Sequence, residues 1–235
     1  MIAPLKLGLL GGTFDPIHAG HLAMACAAHD QLQLDRVLLL PAGNPWQRQP
    51  LASAQQRLQM AHLATRAYPF LQVDGRETQR SGPTYTIDTL HQLREEYGPR
   101  AGLYLILGTD AFFNLPSWHH WPSLFDLCHI VLMARNAPNP PPAQWPTPLQ
   151  DHGLRLRTQS PGSAGPELSG ADCSAPAGLI LSLSAPLHPA TSTHIRSLLR
   201  QGQRTDQLLP KAVLDYIETH HLYQQGSDGT TTHQG

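Results

Sequence analysis

The chain has little charge of either sign. Lys and Arg number 16 and Asp and Glu 17 among 235 residues, for a formal net charge of −1. No basic excess draws it to a nucleic-acid backbone, so nucleic acid is not expected as a partner. A local basic pocket for a small phosphorylated ligand survives that argument. Cysteine is scarce too: Cys26, Cys128 and Cys173 are an odd set with no C-x-x-C spacing. That argues against a disulfide framework or a structural zinc site and fits a reducing compartment, the cytoplasm. No apolar run approaches the roughly 20 residues needed to span a bilayer, so no membrane partner is expected. The first ten residues lack the layout of a signal peptide. No internal repeat is visible, and the sequence leaves the oligomeric state open, a homo-oligomer included.

What is present is 40% hydrophobic residues, enough for the core of one sizeable domain. Short apolar runs alternate with helical patterns. Strands are expected at 5–10, 37–40, 70–73, 103–107, 130–133 and 179–183. Helices are expected at 20–31, from a Ser53/Gln56 capping box to about 66, and at 86–97. Two more follow at 193–200 and from Pro210 onward. The alternation predicts an α/β fold: a Rossmann-like open parallel sheet, helices on both faces, and a small C-terminal helical part. A single domain is expected over 1–223. A Pro/Gly/Ser-rich insertion at about 137–178 should be partly disordered, and the polar tail 224–235 mobile.

Five segments could carry chemistry, one of them the loop of residues 41–48. The first is Gly11-Gly12-Thr13-Phe14-Asp15-Pro16-Ile17-His18-Ala19-Gly20-His21. It joins a strand's carboxyl end to a helix, where open α/β sheets place their ligands. The glycines would let backbone N–H groups approach a phosphate, and the helix start adds positive dipole. His18 and His21, three apart, can face one ligand. Two imidazole donors on phosphate oxygens suit phosphoryl or nucleotidyl transfer, where positioning and charge neutralisation do the catalysis. The second is Thr191-Ser192-Thr193-His194-Ile195-Arg196, a helix cap with a cation one turn in. The third runs from Asp74 through Thr84-Tyr85-Thr86 to Leu90, a turn into a helix whose N-terminus could hold a carboxylate. The fourth holds Gly108 and Asp110, suited to a ribose, then Trp118, a flat face for stacking, and His119. Adjacent His119 and His120 diverge, and no carboxylate cluster lies near them in sequence, so no protein metal site is expected.

The first segment resembles the H-x-G-H signature of the nucleotidyltransferase superfamily. In its Thr-Phe-Asp-Pro-Ile-His form it resembles the nicotinate-nucleotide adenylyltransferase family. The second resembles that family's S-S/T-T-x-I-R motif, with Thr191 in place of the usual Ser. The third and fourth resemble its pyridine-carboxylate segment and its G-x-D and W-x-x-W/Y region. The likeness covers about residues 5–136 and 179–223. It implies transfer of the adenylyl group of ATP to nicotinate mononucleotide, with pyrophosphate released, in NAD biosynthesis. His18, His21 and Arg196 would then be catalytic. Gly11, Gly12, Thr13, Phe14, Gly108, Asp110, Thr191, Ser192 and Thr193 would hold ATP. Thr84, Tyr85, Thr86, Trp118, His119, Arg48 and Arg135 would hold nicotinate mononucleotide. Where many members carry P-P-H-K/R this chain has Pro45-Trp46-Gln47-Arg48, which keeps a cation and loses a histidine. Mg²⁺ would arrive on the ATP phosphates, since no carboxylate cage is apparent. A preference for the nicotinamide nucleotide, and a non-catalytic nucleotide-binding module, stay open as alternatives.

Overall fold

The computed structural model describes residues 4–45, 49–134, 139–158, 175–186 and 188–224. Seven strands form one sheet in the order β3-β2-β1-β4-β5-β7-β6, and every neighbouring pair is parallel. The strands are β1 (Lys6–Gly12), β2 (Arg36–Pro41), β3 (Leu71–Val73), β4 (Gly102–Gly108), β5 (His129–Ala134), β6 (Leu156–Thr158) and β7 (Ile180–Ser184). The longer helices are α1 (Ala19–Leu32), α2 (Ala54–Thr65), α3 (Thr86–Tyr97), α7 (Ser192–Arg200) and α8 (Lys211–Thr219). Between them lie the short α4 (Thr109–Phe113), α5 (Leu124–Leu127) and α6 (Thr147–Gln150).

Successive strand residues face opposite sides, and the two sides carry separate apolar layers. Leu7, Leu9, Leu38, Leu40, Leu103 and Leu105 pack against Ile87, Leu90 and Leu93 of α3 and Phe125 of α5. Leu10, Val37, Leu39, Ile106, Val131 and Met133 pack on the other side with Met24 of α1, Met60 of α2, Ile195 of α7 and Val213 and Ile217 of α8. Burial on both faces explains why the strands read as continuous apolar runs. The expected Rossmann-like α/β architecture is the one observed, and the C-terminal helices share its core. At α2 the Ser53/Gln56 capping box closes in both directions.

Two local expectations differ. The sequence suggests a turn at Gly11-Gly12, but β1 runs through both, pairing Gly11 with Leu40 and Gly12 with Pro41. The reversal falls instead on residues 13–18, because the parallel ladder with β2 continues to its end. The second difference lies in the Pro-rich stretch, which suggests no regular element. Residues 139–158 nevertheless carry α6 and the edge strand β6, which pairs Leu156, Arg157 and Thr158 with β7. Trp145 and Leu149 anchor this stretch in the α3-side core, and Trp145 Nε1 donates to the Pro140 carbonyl at 2.8 Å. Buried Trp145, Leu149 and Leu156, with Asn139 Nδ2 donating to the Leu132 and Leu183 carbonyls, hold a segment whose composition resembles a linker. Residues 159–174 and 225–235 lie outside the described residues.

Candidate active site

Strand order reverses at β1, with β2 on one side and β4 on the other. Such a switch point leaves a crevice at the strands' carboxyl ends. A cavity of about 330 Å³ occupies it. Gly11 and Gly12 from β1, Leu40 and Ala42 at the end of β2, and Leu107 and Gly108 at the end of β4 form its floor. Thr13, Phe14 and His21 line one wall with Ser192, the first residue of α7. Thr84, Tyr85 and Thr86 line the opposite wall, joined by Trp118 and His119.

The histidine wall is built by close packing. Phe14 has a left-handed backbone, with φ of 52°, and its ring meets His21 edge-on at 5.0 Å. A Cβ on Gly12 would lie 2.9 Å from that ring, so position 12 must be glycine for Phe14 to sit there. His18 is 2% exposed and stacks on His21 with centroids 3.7 Å apart. A Cβ on Gly20 would come within 3.1 Å of the His18 ring and 3.2 Å of the Ala190 carbonyl, which explains the glycine between the two histidines. The His18 backbone N–H donates to His21 Nδ1 at 3.3 Å. A nitrogen that accepts carries no proton, so His21 is the tautomer protonated on Nε2.

The loop of residues 13–18 is held from behind. Arg57, 1% exposed, donates to the carbonyls of Thr13 at 2.7 Å, Gly43 at 2.9 Å and Ala52 at 3.2 Å. Ser192 Oγ donates to the Pro16 carbonyl at 3.0 Å. Arg196 donates through Nη1 to the Asp15 carbonyl at 2.7 Å, and its nearest carboxylate oxygen, Asp15 Oδ2, stands at 3.9 Å. The carbonyl bond is the one that orients it; 3.9 Å is beyond hydrogen-bond range.

On the opposite wall α3 begins without a side-chain cap. Its N-cap is Tyr85, and the first-turn amides meet no capping oxygen from it. Tyr85 stacks on His119 at 4.4 Å. Trp118 Nε1 is buried with no acceptor among the described residues. Glu77, which also lines the cavity and is 9% exposed, accepts from Thr89 Oγ1 at 2.7 Å, and Arg80 donates to the same hydroxyl at 2.9 Å. Burial pushes the Glu77 carboxyl above the usual carboxylate range, and the Thr89 hydrogen bond opposes that shift.

Of the residues singled out in the sequence, Gly11, Gly12, Thr13, Phe14, His21, Thr84, Tyr85, Thr86, Gly108, Trp118, His119 and Ser192 border the one cavity. His18 lies beneath His21, and Arg196 lies behind the loop. Thr191 serves as the α7 N-cap, accepting from the His194 N–H at 3.2 Å. Thr193 and Asp110 are exposed on the first turns of α7 and α4. Arg48 and Arg135 lie outside the described residues. The sequence placed Asp15, Glu77 and Thr89 inside candidate segments without their supporting role, and it missed Arg57 altogether. A buried charge has no local signature when its partners are far away in the chain. Among the described residues no group of three His, Cys, Asp or Glu is placed to hold a metal ion. Nor is any helix there long and apolar enough to cross a membrane.

The cytidylyltransferase-like family model matches residues 9–198. The probable nicotinate-nucleotide adenylyltransferase of Pseudomonas aeruginosa strain PAO1 is 41% identical over 222 residues, covering 93% of this chain and 97% of that protein. Its counterpart in Cellvibrio japonicus is 41% identical over 219 residues, covering 93% and 98%. Two solved structures share the fold. Plasmodium falciparum nicotinic acid mononucleotide adenylyltransferase complexed with NaAD has a TM-score of 0.64 at 14% identity, covering 93% of this chain and 97% of that one. A putative nicotinate-nucleotide adenylyltransferase from Vibrio parahaemolyticus has a TM-score of 0.58 at 16% identity, covering 93% and 95%. Likeness over nearly the whole length, with the histidine motif at the sheet's switch point, identifies the chain as a member of the nicotinate-nucleotide adenylyltransferase family of nucleotidyltransferases.

Proposed function

We propose that this enzyme transfers the adenylyl group of ATP to nicotinate mononucleotide, forming nicotinate adenine dinucleotide and pyrophosphate in NAD biosynthesis. The observation that carries the reading is a single cavity walled by the Gly11–His21 segment on one side and by Thr84, Tyr85, Thr86 and Trp118 on the other. A nucleotide phosphate site and a pyridine site therefore open into one another. Gly11, Gly12, Thr13 and Phe14 take the ATP phosphates, with Ser192 and its neighbours Thr191 and Thr193 at the start of α7. Gly108 and Asp110 serve the ribose. Trp118 and His119 flank the pyridine ring.

An oxygen of the acceptor's phosphate attacks the α-phosphorus of ATP, and the bond from that phosphorus to the pyrophosphate oxygen breaks. A phosphomonoester has its second ionisation near pH 6, roughly, so the nucleophile needs no general base. The protein's task is to align the phosphates and offset the charge that builds on them. His21, protonated on Nε2, donates to the phosphate oxygens from the cavity wall, and His18 supports it. Arg196, anchored by one of its five N–H groups, has others for the departing pyrophosphate. Mg²⁺ carried on the ATP phosphates would offset phosphate charge, and the described residues include no His, Cys, Asp or Glu cluster to hold it. Glu77, the acidic side chain on the cavity wall, is engaged by Thr89.

The acid is favoured over the amide as acceptor because of the uncapped N-terminus of α3. Its amides and dipole attract a carboxylate and offer a neutral amide much less. The proposed compartment is the cytoplasm, consistent with unpaired thiols at Cys26 and Cys128. Purified protein with ATP and Mg²⁺ should release pyrophosphate on adding nicotinate mononucleotide, and much less with nicotinamide mononucleotide or phosphopantetheine. Equal release with either competitor overturns the choice of acceptor.

A further inference from the structure

Asp15 lies inside the histidine loop, yet its side chain turns away from the cavity and is 4% exposed. Its Oδ2 accepts from the Leu51 N–H at 2.8 Å, and its Oδ1 from the Ala52 N–H at 3.1 Å. Oδ1 also accepts the hydroxyl of Tyr223 at 2.6 Å, across 208 positions of sequence. Tyr223 is itself 4% exposed and has a left-handed backbone, with φ of 63°. Arg57 and Arg196 supply the positive charge around this carboxylate. The main-chain carbonyl of the same Asp15 is the group that orients Arg196. The carboxylate thus ties together the loop, the start of α2 and the end of the described chain, while the carbonyl aims the cation.

We propose that Tyr223 is a positioning residue of the transfer site: its hydroxyl fixes the Asp15 carboxylate and so sets the loop that carries His18 and the carbonyl that orients Arg196. This rests on the adenylyl-transfer reading given above. A tyrosine that merely filled the core would need no hydroxyl in contact with a buried carboxylate; phenylalanine would serve. Burial and the Asp15 charge both hold the phenol in its protonated, donating form. Placing chemistry on a loop demands this kind of support, because small displacements of reacting groups are costly in rate.

The test substitutes Tyr223→Phe and reads kcat and KM separately. The expected result is a fall in kcat of about 10- to 100-fold. KM for nicotinate mononucleotide should stay within about twofold, since the pyridine wall is untouched. In an Asp15→Ala background, which has no acceptor for the phenol, the same substitution should lower kcat no further. p-Aminophenylalanine at position 223, which returns a donor at the para position, should restore kcat. A folded Tyr223→Phe protein with unchanged kcat overturns the proposal, as does an equal loss in the Asp15→Ala background. If Tyr223→Phe does not fold, the p-aminophenylalanine protein decides: folded but slow, it overturns the proposal. Amide exchange gives a readout independent of turnover, with Leu51 and Ala52 expected to lose protection in Tyr223→Phe. Wild-type protein that releases no pyrophosphate would sink the adenylyl-transfer reading instead. Unchanged protection of Leu51 and Ala52 would then remove the Tyr223 clasp on its own account.

Discussion

At the scale of single residues, the two histidines do different work. His18 is buried and stacked; His21 borders the cavity, with its tautomer set by the His18 backbone N–H. One ring therefore positions the other, and the pair acts as a unit. Loss of one preorganised donor to a developing phosphate charge costs about 10²–10³ in rate. His21→Ala should lower kcat by that order, and His18→Ala by a similar amount because it removes the surface on which His21 rests. Groups that act as a unit give non-additive losses, so the double variant should fall little below the singles. Single-turnover rates of the three variants check this. Losses that multiply would show two independent donors. The H-x-G-H spacing was legible in the sequence as two histidines on one turn. The division of labour was not, since it depends on which ring the loop buries.

At the scale of elements, the cavity wall opposite the histidines, proposed to hold the pyridine, is the N-terminus of α3 and the 3-10 turn before it (Arg76–Gln79). One hydroxyl couples them: Thr89, on the first turn of α3, bonds Glu77 on one side and Arg80 on the other. Thr89→Val keeps the shape and removes both bonds, leaving the Glu77 carboxyl buried without its donor. A buried polar group that loses its partner costs about 1–3 kcal/mol. Denaturant unfolding should show a loss in that range, and KM for nicotinate mononucleotide should rise more than kcat falls, because Tyr85 and Thr86 shift together. An unaltered KM would mean the wall stands without this brace. The helix itself was readable from the stripe Ile87, Leu90, Leu93 and Tyr97, the first three buried and Tyr97 half-buried. So were the strands, whose apolar runs are short and bounded. β6 was not readable, since three residues amid prolines carry no period. Nor was the Glu77–Thr89–Arg80 junction, because each member also reads as a solvated polar residue.

At the scale of the molecule, the sheet's two halves are assembled differently. β1, β2 and β4 meet at the cavity, whereas β5, β7 and β6 depend on chain that departs after β5 and returns before β7. His129, at the start of β5, pins that return. Its Nε2–H donates to the Ala175 carbonyl at 2.8 Å, and its Nδ1 accepts from the Leu179 N–H at 3.3 Å. Arg94 reaches the same return through the Pro176 carbonyl at 2.9 Å. The His129 ring stacks on Tyr104 at 4.8 Å. Only a neutral imidazole can donate from one nitrogen and accept at the other. Burial lowers the His129 pKa below its ordinary 6.5; the Ala175 hydrogen bond opposes that shift and the Arg94 charge adds to it. The unfolded chain therefore takes up this proton first as pH falls. The stabilisation is complete above pH 6.5 and is lost as pH drops below it and through the lowered folded value. Melting temperature should decline over that window. His129→Gln, whose amide can also donate and accept but does not titrate, should flatten the decline while the other histidines contribute equally to both proteins. Parallel profiles for the two would detach the acid sensitivity of the fold from this residue. A smaller slope for the variant would place it at the junction that closes the second half of the sheet.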